Sequence, residues 1–352
     1  MYAESDIDGA VAAGAISAAA AAALRGHVAA GRQAPAVDEE QFRLLTGFND
    51  IFVSIACVLL LAALAGIGGA IAAVLAPALV AGAAWGLAEY FTRARRMALP
   101  SIILLLAFVG GVAATLGIAV ANQTVGDWIQ SLSRDENVQI AVASVIAAAI
   151  AALTAGAAWL HWRRFMVPIT VAAGAVAVVG VAMALIVGLI PAARQAVLPL
   201  VLVAGVAMFA FAMRWDMSDR ERRTRRSDVA FWLHLAAAPM IAHALFNLLG
   251  VFDGDIGLVQ AVVVLALYVL FALVALAVDR RALLVSSLVY VLFALYALFQ
   301  QAGAVELSAA FTGLVIGSAL LLLSAFWHPV RRRVVGLLGP TADRLPPVAM
   351  AV

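Results

Sequence analysis

The chain has no lysine, a single cysteine in 352 residues, and only 12% charged residues. So little charge excludes an ordinary soluble globular domain, in which about a quarter of the residues are charged. The lone cysteine, Cys57, excludes an intrachain disulfide, and inside an apolar run it reads as a small apolar packer rather than a redox centre. The missing lysine leaves all 22 basic residues as arginine beside an excess of alanine, which reads as coding bias as much as function. HExxH, CxxC and an i,i+4 histidine pair are absent, so no metal motif stands out and no cofactor is expected. No Walker A sequence occurs, which argues against direct ATP drive. No positively charged n-region opens the chain, and a cleaved signal peptide is not expected.

What is present is hydrocarbon: 66% of residues are hydrophobic, and the mean hydropathy is +1.07. A hydrocarbon core about 30 Å thick needs about 20 apolar residues per helix. Ten such stretches are read between Ile51 and Trp327, at 51–67, 70–91, 98–120, 138–160, 167–189, 195–213, 229–249, 257–277, 283–300 and 308–327. The first two form one apolar run broken only by Gly66, Gly68 and Gly69. As a single helix that run would rise about 60 Å, twice the core, so two spans joined by a tight glycine turn are expected.

The arginines test this count. With the N-terminus cytosolic, only Arg134 and Arg194 of the 22 fall outside, together with Asp127, Asp135, Glu136, Asp253, Asp255 and Glu306. The expected fold is therefore all-α, a polytopic transmembrane helical bundle of about ten spans with both termini cytosolic. Three regions follow: N-terminal helices on the cytosolic side or membrane surface in 1–48, the transmembrane domain in 49–328, and a short cytosolic tail in 329–352. Within the first, residues 7–30 read as helix broken by Gly14, with Ser17 as a cap for the second piece. Asp38 with Gln41 three residues on suggests a capping box ahead of a short amphipathic face of Phe42, Leu44 and Leu45. The external loop 122–137 carries Trp128 and Ile129 and suggests a short interfacial helix.

Ionisable residues inside spans cost roughly 2.5–3.5 kcal/mol on insertion scales, so function is sought there first. The seventh span, DVAFWLHLAAAPMIAHALFNLLG from Asp228, is the richest. Pro239 removes a backbone donor and should kink the helix or free carbonyls. His243 and Asn247, four apart, share a face. His234, nine residues from His243, lies nearly opposite it unless the proline changes the phase. For His243 two readings stand: a neutral core histidine bonded to a carbonyl or a serine, or a polar site on a broken helix where a proton can be exchanged. His234 either faces an inner vestibule with Trp232 or anchors that end.

Glu89, near the cytosolic end of the second span, reads as an i,i+4 partner of Arg93 or as an ion or substrate contact. Asp253 and Asp255 read as an ordinary DGD turn or as a second cation or proton site. A haem clamped between helices has His234 and His161 as its least poor pair. The loop 214–228, RWDMSDRERRTRRSD, suits anionic headgroups. Nothing supplies a nucleic-acid-binding fold or aromatic platform. Gly82 and Gly86, and Gly313 and Gly317, form GxxxG pairs that suggest internal seams or a homo-oligomer contact, and Gly110, Gly111 and Gly117 lighten the third span. WGLAEYFTRARRMALP at 85–100 and WLHWRRFMVP at 159–168 share two arginines four and five residues before a proline, either topogenic punctuation or a trace of duplicated hairpins.

The N-terminal GAVAAGAISAAAAAALRGHV, residues 9–28 ahead of a many-span domain, resembles bacterial predicted inner-membrane proteins of unknown function. Ten helices with cytosolic termini also resemble, in topology alone, the drug/metabolite transporter superfamily, which implies two inverted five-helix halves. Together these make a secondary transporter or permease for a small molecule or lipid the leading expectation, in a bacterial inner membrane. The alternative is a non-catalytic module that binds a protein partner or lipid through residues 1–48 and the arginine-rich loop. An embedded enzyme ranks third, for want of a nucleophile–base pair.

Overall fold

In a hydrocarbon solvent each apolar run must satisfy its own backbone, and helices do so without a partner. The structure, a computed structural model, describes residues 4–31, 48–220, 222, 224–251, 257–303, 305–339, 342 and 345–348. Among these it is all helical: α1 Glu4–Ala12, α2 Ala18–Gly31, α3 Phe48–Ile71, α4 Leu75–Ala88, α5 Ala98–Val120, α6 Gln123–Leu132, α7 Glu136–Phe165, α8 Ile169–Leu189, α9 Val197–Met217, α10 Arg225–Leu248, α11 Leu258–Val278, α12 Ala282–Gln301, α13 Ser308–Ala325 and α14 Trp327–Leu337. Nine of the described helices are long and apolar enough to cross a membrane. α4 is shorter but runs directly into a π-helical segment, Glu89–Ala94. The capping box at Asp38 to Gln41, the Phe42 face and the Asp253–Asp255 turn lie outside the described residues.

Short connections force sequence neighbours to run antiparallel. The hairpins α4–α5, α7–α8, α9–α10 and α11–α12 turn at one end, where most of the arginines lie. In each of those turns a non-glycine residue takes the left-handed conformation: Arg96, Met166, Arg222 and Asp279, at φ 52–57°. Such a residue reverses the chain within a few positions by capping the last helical carbonyls, as in the bond from Arg280 N to Ala275 O at 2.9 Å. At the other end the reversals after α10 and α12 use glycine, Gly250 and Gly303.

The break between α3 and α4 does not fall at the glycines. α3 runs through Gly66, Gly68 and Gly69 and stops only at Ile71, and Pro77 sits in the first turn of α4, where it removes no intrahelical bond. Gly68 serves a different purpose: a Cβ there would lie 2.7 Å from the carbonyl oxygen of Leu75, so its absence lets α4 begin against α3. Gly111 does the same between α5 and α4, where a Cβ would meet the Pro77 carbonyl at 2.8 Å. Gly82, Gly86, Gly313 and Gly317 have nothing within 4 Å of a Cβ, so neither GxxxG pair is a seam among the described residues.

α10 is the hub. It packs on α8, α9 and α12, its membrane-length stretch is 56% buried against 11–39% in the other eight spans, and it is the least apolar of the nine. A helix enclosed by protein need not be apolar all round; its neighbours, facing outward, must be. Val203 of α9 is 65% exposed, and farther out Leu59 of α3 and Leu321 of α13 are 65% and 74% exposed, an apolar surface that fits a multi-pass membrane protein and not a water-soluble one. Cys57 packs in the α3–α4–α5 core with Leu61, Ala84 and Leu104.

The peripheral pieces follow local chemistry. Ser17 accepts from Ala20 N at 3.0 Å and starts α2, and Arg25 reaches back to Asp8 at 2.7 Å. α6 is capped by Asn122 and shows Trp128 and Leu132 outward.

Candidate functional site

Polar side chains that share a partner inside an apolar bundle are the features that solvation cannot explain, and α10 carries two such groups on opposite faces. His234 is buried and His243 exposed, as 100° per residue requires of positions nine apart on an undistorted helix. Pro239 therefore leaves the phase intact; α10 is helical from Arg225 to Leu248.

On the open face, Pro239 and His243 are exposed and Asn247 is half-buried, one stripe at i, i+4, i+8. His243 Nδ1 lies 2.9 Å from the Tyr290 hydroxyl of α12, and Asn247 Nδ2 donates to the His243 carbonyl at 2.9 Å. The flanks of the stripe pack away from each other: Met240 joins the α8–α9 cluster and Ala242 the α11–α12 cluster. Among the described residues, the stripe is thus the exposed side of the middle of the hub helix.

On the closed face, His234 Nε2 lies 2.9 Å from Asp216 Oδ2 at the end of α9. Arg280, from the α11–α12 turn, grips the same carboxylate through Nη2 to Oδ1 at 2.6 Å and Nε to Oδ2 at 3.2 Å, and also donates to the Ser227 carbonyl. All three side chains are 5% exposed or less. Burying one charge in such surroundings is prohibitive; a carboxylate and a guanidinium bound two-fold make a neutral unit that can stay. His234 Nδ1 has no partner among the described residues, and the Phe209 ring packs edge-on at 4.8 Å.

The next residue extends this network. Asp279 accepts from Arg222 Nη1 at 2.8 Å and from Trp327 Nε1 at 2.9 Å. Arg331 of α14, wholly buried, lies 3.4 Å from Asp279 and donates to the carbonyls of Leu276, Pro346 and Pro347. The α9–α10 turn and α14 thus meet the adjacent pair Asp279 and Arg280 of the α11–α12 turn, and the segment 345–348 joins them through Arg331.

The remaining candidates scatter. Trp232 does not join His234; it packs toward α5 and α8 with Val109, Ile169 and Ala172. Glu89 bonds Arg93 at 3.3 Å, but its tighter partner is Arg164 of α7, at 2.7 and 2.9 Å. That contact joins the two similar sequence segments, with Trp85 also 5.0 Å from Phe165. His161 is enclosed by Trp85, Phe108 and Phe165, with Thr170 Oγ1 3.3 Å from Nδ1, so it shares no partner with His234. Among the described residues no three His, Cys, Asp or Glu side chains converge as metal ligands. An open groove of about 480 Å³ beside α6 is lined by residues such as Val120, Asn122, Ile129 and Ile146, none of them ionisable.

Asp216, Arg280, Asp279, Arg331 and Tyr290 were not legible as site residues. Asp216, Asp279 and Arg280 stand at the ends of spans and Arg331 in an arginine triplet just after the last one, where topogenic arginines and their counterions are routine, and Tyr290 reads as an ordinary apolar-span aromatic. In comparisons with protein-family models, curated proteins and solved structures, nothing matches the chain. The two resemblances read from the sequence remain likenesses of pattern.

Proposed function

We propose that the chain is a ten-span protein of a bacterial inner membrane with both termini cytosolic, and that it acts as a secondary permease for a small molecule or lipid. The tenth crossing is α4 with its π-helical continuation, Leu75 to Ala94, which joins the nine self-sufficient spans. The arginine partition then sets the hairpin turns inside, where exposed Arg225, Arg226, Arg332 and Arg333 suit anionic headgroups. The observation that carries the permease reading is the open polar stripe of Pro239, His243 and Asn247 on the least apolar and most enclosed helix. The imidazole and amide atoms left over after the bonds to Tyr290 and the His243 carbonyl suit water or a polar solute beside them.

Single cysteines at 239, 243 and 247 in a Cys57→Ala background test this in intact membranes. A membrane-impermeant maleimide should modify His243→Cys at a rate approaching that of an external-loop cysteine. Val203→Cys, exposed on an apolar face, should stay unmodified. Equal silence at 203 and 243 would make the stripe lipid-facing and leave the second reading, a non-transporting module. That reading draws on a separate observation, the closed ion network at the arginine-rich end.

A further inference from the structure

The ion network contains a charge that the permease reading does not use. Arg331 is fully buried, although it belongs to an eleven-residue helix whose Arg332 and Arg333 are exposed. Its Nη1 and Nη2 donate to Pro347 O at 3.1 Å and Pro346 O at 2.8 Å. A second arginine, Arg220 of the α9–α10 turn, donates through Nε to Leu345 O at 3.0 Å. Prolines have no N–H to offer, so the bonds that hold this stretch at 346 and 347 run one way, from arginine donors to its carbonyls. Removing the stretch would strip acceptors from a buried guanidinium, a state that proteins avoid by exposing the charge.

The consequence passes to the turns. Arg331 and Trp327 both lean on Asp279, whose other oxygen and carbonyl are held by Arg222. Arg281 stacks on Trp327 at 4.6 Å, and Arg280 closes over Asp216 and His234. The stretch, α14 and both turns therefore have one bonded arrangement in common, and a group of this kind opens as a unit.

We infer that α14 together with residues 345–348 forms a latch on the cytosolic end of the bundle: docked through Arg331 and Arg220, it holds the α9–α10 and α11–α12 turns shut over His234, and undocked it frees that end to open. As a gate on the α10 path, this rests on the permease reading; as a conformational unit it does not.

Hydrogen exchange on the protein in lipid nanodiscs decides it. In a chain ending at Leu338, amides of 217–230 and 276–283 should exchange at least about tenfold faster, with 245–249 and 297–301 unchanged. In the full-length Cys57→Ala chain, a short bis-maleimide bridge between Arg220→Cys and Leu345→Cys should slow the same two stretches relative to the unbridged pair. Arg331→Lys, which keeps the charge but loses the fork, should fall between the intact and shortened chains. Uniform acceleration along α9–α12 would reduce the network to structural cement. If the shortened chain does not fold, the bridged pair still decides, because unaltered exchange in both stretches overturns the latch. Neither readout involves flux, so a lipid-facing His243 would overturn the gate on α10 and leave the latch standing.

Discussion

The carboxylate of Asp216 shows how single residues work in this protein. It is held by Arg280 at both oxygens and by His234 at one, and no part of the trio reaches water appreciably. Such a unit contributes little net stability while intact, because desolvation offsets attraction, but removing one member leaves an uncompensated buried charge. Asp216→Ala should therefore destabilise the protein by about 3–5 kcal/mol, measured by unfolding in detergent micelles. The triple replacement Asp216→Leu, His234→Leu, Arg280→Met should recover most of that loss. A single substitution as mild as a surface one would show that water enters the cluster. Glu89→Gln should be milder, since Glu89 and Arg164 are about one-third and two-fifths exposed and solvent screens the pair.

Elements are placed in this bundle by backbone approach as much as by side-chain fit. α4 and α5 come together where Gly111 faces the Pro77 carbonyl and Ala81, while Gly86, on the same α4, faces nothing within 4 Å. Gly111→Ala should thus force the two helices apart at a cost of about 1–3 kcal/mol. Gly86→Ala should be neutral or slightly stabilising, through the better helix propensity of alanine. Thermal unfolding of the two variants in one detergent checks the pair; equal losses would mean that Gly86 sits at a contact between copies. α10 makes the complementary point. Its opposition of His234 and His243 was readable from spacing alone, and Pro239, expected to kink the helix or free carbonyls, lies within a continuous helix. With α8, α9 and α12 packed around it, the helix is held by its surroundings despite one missing backbone donor.

At the scale of the whole molecule the orientation is a charge statement. Four hairpin turns and α14 gather most of the described arginines at one end, whereas Arg134 and Arg194 stand in connections at the other. Cysteines replacing Arg134 and Arg194, with Cys57→Ala, should accept an impermeant reagent from the periplasm. Those replacing Arg95, Arg163, Arg225 and Arg281 should do so only after permeabilisation. Reversal at two consecutive turns would sink the ten-span arrangement and, with it, the cytosolic placement of the latch.

The sequence by itself determined the solvent, the helical class, the position of nearly every span, the Ser17 cap and the opposition of the two histidines on α10. These depend on composition, on local propensity and on a fixed rotation per residue, all of which act within a few turns of chain. It did not determine which glycines are contacts, for a small residue looks alike at a seam and on a free face. Nor did it show that Asp216 meets Arg280, 64 residues away, that Asp279 meets Arg331, or that His243 meets Tyr290. A charge at a helix end has the same local signature whether it faces headgroups or a buried partner. Only the packing of α9 and α12 on the hub and of α14 on α11 decides between them, because desolvation, the quantity that separates a topogenic arginine from a buried one, belongs to the neighbours and not to the residue.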